Sequence, residues 1–237
     1  MPERIIKSLK NAEIEKKTHQ SYFNIAVSVD CVIFGYDNHE LYVLLKQSDL
    51  EEFQGLNSLL GDLVKPNEDL TEASFRILWE RTGLQHVYLE QVHTFGKVHR
   101  HPSGRVITTA YFSLIDMQHQ QLNISKHQLD WYPVRKVKQL AFDHLEILQL
   151  CLQQLQQRVM ERPIILHLLP PLFSLRELQS VYEAILGVEL DRRNFRKKIA
   201  VKDWIIDTQT LEREVSHRPG KLYKLKSGMM NNYRPYQ

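Results

Sequence analysis

The sequence has little cysteine and no long apolar run. Only Cys31 and Cys151 occur among 237 residues, and both lie in apolar patterns, which favours two buried, reduced thiols over a disulfide. Runs such as Ile25–Phe34 and Ile164–Leu169 fall well short of the roughly 20 apolar residues needed to cross a bilayer. The segment Met1–Lys7 is mixed in charge and lacks an apolar signal core. We therefore expect a soluble, cytoplasmic protein that does not bind membranes.

The composition is that of a globular protein and contains no repeat or low-complexity tract. Apolar residues make up 43% and charged residues 25% of the chain, close to globular averages, which excludes a fibre or a disordered chain. Because 237 residues exceed a typical domain of about 100 to 150 residues, we predict two domains. An N-terminal extension is assigned to residues 1–21, a first domain to 22–162 and a second domain to 163–237.

Charge is distributed unevenly between these domains. The net charge is +3, but from Pro163 onward 13 Lys and Arg face 8 Asp and Glu, which gives +5 and leaves −2 for residues 1–162. We therefore expect any basic partner-binding surface to lie in the second domain.

Strand patterns dominate the first domain. A helical stripe covers Leu70–Thr82 and ends at Gly83, and a second helix is predicted over Asp143–Glu161. The strand-like runs are separated by turn formers: they are Ile25–Phe34, Leu41–Lys46, Leu59–Val64, Val87–Val98, Arg105–Ile115 and Leu129–Pro133.

The segment from Asp62 to Leu84 resembles a Nudix box, G-x5-E-x7-R-E-U-x-E-E-x-G-U, in which U is apolar. Glu68, Arg76 and Glu80 occupy their positions in that motif. In active members of the Nudix family, carboxylates on one helix face hold the divalent cations for diphosphate hydrolysis. The resemblance implies an α+β fold, with a Nudix-like mixed-sheet α/β/α sandwich as the first domain.

Three positions depart from the motif. Asp62 replaces the opening glycine, and Ile77 and Arg81 replace two carboxylates. An apolar side chain supplies no metal ligand, and a guanidinium adds positive charge where magnesium should sit. We therefore predict a degenerate Nudix box with no catalytic residue, no bound metal and no cofactor. The alternative is an active diphosphatase that uses Glu68, Glu80 and Asp62 as metal ligands.

Two further stretches, Phe95–Ile107 and Ala141–His144, resemble Nudix-related transcriptional regulators, which include regulators of arabinose use and of NAD metabolism. In the sugar-responsive branch one turn usually reads Arg-Asp-Pro, whereas His101 stands at the Asp position here. The resemblance implies a ligand-responsive repressor of carbohydrate utilisation that senses a sugar, such as arabinose, or a nucleotide sugar. An ADP-ribose-sensing regulator of NAD metabolism is the alternative.

The effector residues are chosen from strand positions around the expected cleft. The candidates are Asp30, Lys46, Arg105 and Tyr111.

Two helix patterns follow each other closely in the second domain. Ser174 and Glu177 form a capping box for Leu175–Leu186, which Gly187 ends. Asp191 caps a helix at 192–200 in which only two positions are spaced to face a core. This order predicts a helix-turn-helix.

The second of these helices carries the residues suited to reading DNA. Arg pairs with guanine, Asn with adenine, and Lys and Arg neutralise phosphates. Two predicted strands, Trp204–Ile206 and Lys221–Leu225, then enclose a basic tip, which is the order of a winged helix. We predict binding to double-stranded operator DNA as a homodimer on two half-sites, through Arg192, Arg193, Asn194, Arg196, Lys197, Lys198, Arg218 and Lys221. A solvated cationic face is the alternative.

Overall fold

The computed structural model describes residues 24–37, 39–85, 87–117, 122, 128–213 and 219–227. Over these described residues, the first half of the chain forms a seven-stranded sheet and two α-helices. Its elements are β1 (Ala26–Asp37), β2 (Glu40–Gln47), β3 (Asn57–Ser58), β4 (Leu60–Leu63), α1 (Leu70–Thr82), β5 (Tyr88–Phe95), β6 (Val106–Asp116), β7 (Leu129–Pro133) and α2 (His144–Glu161).

The sheet is mixed. Its main order is β3-β2-β1-β6-β5, with β4 also paired to β1 and β7 to β2. β1 and β6 run parallel over eleven residue pairs, and the other pairings are antiparallel. The central parallel pair is covered on both faces, as parallel strands usually are.

Alternate residues of β1 belong to different sides of the sheet. Val29, Cys31 and Ile33 pack with the buried face of α1, whereas Val32 and Phe34 pack with α2. This two-sided packing follows from the period of two along a strand. The predicted α/β/α sandwich is confirmed, and both cysteines are buried free thiols.

Local signals fix the limits of α1. Asp69 accepts hydrogen bonds from the backbone N–H groups of Thr71 and Glu72, and the Glu72 carboxylate accepts from the Asp69 N–H at 2.8 Å. Gly83 ends the helix with φ +76°, a left-handed conformation that costs glycine little. The structure places the helix over the predicted residues.

The second half of the chain forms a winged helix. Its elements are β8 (Phe173–Ser174), α3 (Leu175–Leu186), α4 (Arg192–Val201), β9 (Ile205–Leu211) and β10 (Lys221–Leu225), with sheet order β8-β10-β9. The capping box at Ser174 and the left-handed Gly187 stand where the sequence predicts them. This confirms the predicted fold class, while β8 was not expected.

The two halves share one hydrophobic core. A single buried cluster includes Phe34 of the large sheet, Leu155 of α2, Val181 of α3 and Phe195 of α4. A hydrogen bond crosses the same boundary: the Tyr182 hydroxyl donates to the Val159 carbonyl at 2.9 Å. A change in one half can therefore reach the other through packed contacts.

Some predictions concern parts of the chain that the structure does not describe. The N-terminal extension at 1–21 lies outside the described residues, and the boundary between 162 and 163 stays a prediction. Among the helices that are described, none is both long and apolar enough to cross a membrane.

Candidate effector cleft and nucleic-acid interface

A cleft of about 640 Å³ opens beside β1 and β4 in the first domain, within the range of small-molecule sites. Three of the four predicted effector residues, Asp30, Lys46 and Arg105, line it. Tyr111 does not, because its side chain is fully buried in the core beneath α1. Its hydroxyl donates to the Gln91 side chain at 3.0 Å.

The floor of the cleft is a buried charge network centred on Asp30. The Asp30 carboxylate accepts a hydrogen bond from the Thr108 hydroxyl at 2.7 Å and lies 3.5 Å from the Arg100 guanidinium. Arg100 also donates twice to Asp143, at 2.7 and 2.9 Å. The Arg100 side chain has an exposed fraction of only 2%. Its carboxylate partners are therefore needed to offset the cost of burying its charge.

Gly61 lets the backbone approach this network. A Cβ at that position would lie 2.1 Å from Oδ1 of Asp30 and 2.9 Å from the Val29 carbonyl oxygen, so the buried carboxylate and the backbone would have to shift. We infer that only glycine fits at this point of β4.

Aromatic rings form one side of the cleft. The rings of His101 and Phe142 are stacked, with centroids 5.0 Å apart and planes 17° from parallel. The ring centroids of His144 and Phe142 are 4.8 Å apart. Nδ1 of His144 accepts a hydrogen bond from the Leu59 N–H at 3.0 Å. Burial lowers the pKa of both histidines, so neutral rings are favoured near pH 7.

Arg100, Phe142 and His144 were not predicted as site residues. The signal lay in the two stretches that resemble Nudix-related regulators, because one contributes Arg100 and His101 and the other contributes Phe142, Asp143 and His144. What the sequence does not reveal is that these stretches meet in space.

The residues of the degenerate Nudix box have three different placements. Asp62 and Arg81 face the cleft, whereas Ile77 has an exposed fraction of 1% and packs into the core. Arg76 binds the Glu68 carboxylate at 2.6 and 2.8 Å. The remaining box carboxylate, Glu80, is 3.2 Å from Arg76.

The residues of this box do not fit a divalent cation. Arg76 engages both carboxylate oxygens of Glu68, and Glu80 is also 3.6 Å from the Lys65 ammonium. In the part of the chain that the structure describes, no group of three or more acidic, His or Cys residues is arranged to hold a metal.

The predicted DNA-reading helix is cationic on its exposed surface. Phe195 and Ile199 are buried, and the Phe195 ring meets Tyr182 edge-on at 5.4 Å. Arg193 and Lys197, two residues to either side of Phe195, lie opposite this buried stripe by helical spacing. All six predicted residues of the helix are exposed: Arg192, Arg193, Asn194, Arg196, Lys197 and Lys198.

These residues lie on more than one flank of α4. Arg196 shares a groove with Arg176 and with Lys221 at the start of β10, whereas Asn194 and Lys198 line an apolar cleft on the other flank. Lys221 also donates to Asp207 at 2.7 Å, and Arg218 lies outside the described residues. Cations of the helix and of the wing therefore converge at one groove.

Together the fold and the cleft define a Nudix-type domain followed by a winged helix domain. The chain matches the NUDIX domain over residues 24–151 and the NrtR DNA-binding winged helix domain over residues 165–225. It therefore belongs to the NrtR-type family, in which these two domains are joined, and the predicted family resemblance is confirmed.

Individual proteins and solved structures are also similar to this chain. The chain is 31% identical to the ADPR responsive transcriptional repressor NtrR of Acinetobacter baylyi. The match extends over 227 residues, which are 93% of this chain and 90% of that protein. The crystal structure of Shewanella oneidensis NrtR with a 27mer DNA aligns with a TM-score of 0.75 at 33% identity, over 84% of this chain and 93% of that chain. An ADP-ribose pyrophosphatase of Methanocaldococcus jannaschii is 26% identical over 60% of this chain and 81% of its own length.

These matches overturn one prediction. The expectation of a carbohydrate regulator that senses a sugar such as arabinose is wrong, since the relative matched over 93% of this chain is named for its response to ADPR. The stretches Phe95–Ile107 and Ala141–His144 resemble regulators of both branches, so they did not separate the two effectors.

The Glu68–Arg76 pair makes a prediction about acid stability. The Arg76 guanidinium holds the pKa of Glu68 at about 2, below the ordinary value of about 4.3. Because the pKa of Glu68 is lower in the folded protein, its ionised carboxylate stabilises the fold at pH values above about 4.3. This stabilisation is lost as the pH falls from there to about 2. We expect Glu68→Gln to lower the melting temperature at pH 7. The difference in melting temperature from the wild type should shrink as the pH falls to about 2.

Melting curves of both proteins at several pH values measure this difference. Glu51→Gln, at an exposed position in the 3-10 helix Glu51–Phe53, is the control and should show no such trend. A deficit of constant size from pH 7 to pH 2 would mean that the pair contributes nothing through ionisation.

Proposed function

We propose that the protein is an ADP-ribose-responsive transcriptional repressor of NAD metabolism that binds its effector without hydrolysing it. The observation that carries the proposal is the cleft, in which four cations, Lys46, Arg81, Arg100 and Arg105, stand among three carboxylates. A diphosphate is recognised by such cations, particularly by arginine. The name of the Acinetobacter baylyi relative supports the same effector.

The rest of the cleft suits the rest of this ligand. The stacked His101 and Phe142 rings offer a flat aromatic surface for an adenine base. Ser48 and Asp49, at the rim, offer polar partners for ribose hydroxyl groups.

The absence of hydrolysis is part of the proposal. Hydrolysis by the Nudix mechanism needs carboxylates that bind a divalent cation beside the diphosphate. Ile77 cannot supply one, and Glu68 and Glu80 are held by Arg76. The alternative of an active diphosphatase is disfavoured for this reason.

DNA binding is proposed for α4 and the wing. A helix with buried Phe195 and Ile199 and an exposed cationic surface suits a major groove, and Lys221 suits the adjoining phosphates. We further propose a homodimer that reads two half-sites. The cytoplasmic location stays a prediction.

Effector binding can reach the DNA-binding half through α2. This helix begins at His144, which lines the cleft, and near its end Val159 contacts Tyr182 of α3. ADP-ribose regulates DNA binding only if it prefers one arrangement of this link over another.

The effector hypothesis is tested by fluorescence anisotropy on DNA taken from upstream of the protein's own gene. Saturating ADP-ribose is expected to shift the operator Kd by about fivefold or more, the lower range of allosteric coupling. By thermodynamic reciprocity, saturating operator should change the Kd for ADP-ribose by the same factor. Arabinose is the control and should shift neither constant.

An operator Kd that stays the same with and without ADP-ribose, in protein that binds the operator, would contradict the proposed response. Failure to bind any upstream DNA more tightly than random DNA would contradict the assignment of a specific operator.

Substitutions separate the roles predicted within the winged helix. Arg193→Ala and Asn194→Ala should weaken operator binding by roughly 1 to 3 kcal/mol with little effect on random DNA, because base-edge contacts carry the discrimination. Lys221→Ala should weaken both DNAs alike and reduce the salt slope by about one, as a lost phosphate contact does.

The control is Val201→Ala, at a position that is 85% exposed on the same helix and offers no polar contact. If the Arg193, Asn194 and Lys221 variants all bind the operator as the wild type does, α4 is only a solvated cationic face.

A further inference from the structure

Arg81 stands at a position where the Nudix motif has a carboxylate, and it faces the cleft. It lies in the last turn of α1, and its guanidinium is 3.9 Å from the Asp62 carboxylate. This distance is too long for a hydrogen bond, and about a third of the side chain is exposed. The guanidinium therefore keeps donors available to a ligand.

The other cleft cations are more firmly engaged. Arg100 is bound twice by Asp143, and the Arg105 guanidinium donates to the carbonyls of Gly96 and Lys97 at 2.7 and 3.0 Å. Lys46 donates to Asp49. Of the four cations that the described residues bring to the cleft, Arg81 is the one held only by a long ion pair.

The same position decides whether a metal can take part. In active Nudix proteins, carboxylates on this helix face would hold the divalent cations for diphosphate hydrolysis. A guanidinium at this place repels that cation, and the box carboxylates Glu68 and Glu80 are already paired with Arg76 and Lys65. The protein itself therefore offers positive charge at this place in the cleft.

We propose that Arg81 binds the effector's diphosphate directly, in place of a divalent cation, and that effector binding is independent of magnesium. This inference rests on the proposed function, since it assumes an ADP-ribose-type ligand. Arginine suits the role because its planar fork forms two parallel bonds to phosphate oxygens. The substitution at Arg81 is then a gain of binding function as well as a loss of catalysis.

The test is isothermal titration calorimetry of the full chain with ADP-ribose, first in magnesium chloride and then in EDTA. The wild-type Kd is expected to differ by less than about twofold between the two buffers. Arg81→Gln should raise the Kd about ten- to a hundredfold in both buffers, because charge-assisted hydrogen bonds are lost. Arg81→Lys keeps the charge but loses the planar guanidinium, so its Kd should lie between those of the wild type and Arg81→Gln.

The matched control is Arg135→Gln, an exposed arginine of the 3-10 helix Val134–Lys136 that lines no part of the cleft. It should bind as the wild type does. Melting curves check that each variant is folded, and the wild-type comparison in EDTA needs no variant at all.

The outcomes separate this inference from the proposed function. If the wild type binds ADP-ribose only with magnesium, or if folded Arg81→Gln binds as tightly as the wild type, the role of Arg81 is wrong while the effector stands. If the wild type binds no ADP-ribose in either buffer, the proposed effector is wrong and this inference falls with it.

Discussion

The buried ion network around Asp30 holds the cleft together. It joins β1, the turn that carries Arg100 and the start of α2, three parts of the chain that are far apart in sequence. Removing one partner from a buried pair typically costs about 3 to 5 kcal/mol, because the other charge is left without compensation. The cleft is therefore preformed by charges that the protein must pair, and a ligand meets a fixed floor.

α2 turns that local constraint into a property of the whole molecule. Its first residues belong to the network, its middle packs on the sheet through Leu155, and its end contacts α3. The Tyr36 hydroxyl of β1 also donates to Ser180 of α3 at 2.9 Å. Since interiors are close-packed, the winged helix can respond to a shift of α2 without contacting the effector.

Local features were predictable from the sequence and long-range ones were not. The limits of α1 and α3 follow from caps and left-handed glycines that act within a few residues. Tyr111 was misplaced because β6 is buried on both faces, so polarity does not reveal which side faces the cleft. Arg100 was missed because its partners are contributed by distant segments. The effector was misjudged because the two stretches that line the cleft resemble regulators of both branches.

The central claim is that a hydrolase fold has become a binding site. Its most direct test is to incubate the wild-type protein with ADP-ribose and magnesium and to follow AMP and ribose 5-phosphate by chromatography. The account predicts that ADP-ribose is recovered intact even when it saturates the protein. Turnover at ordinary enzyme rates, about 1 per second or faster, that is abolished by Glu80→Gln would contradict it.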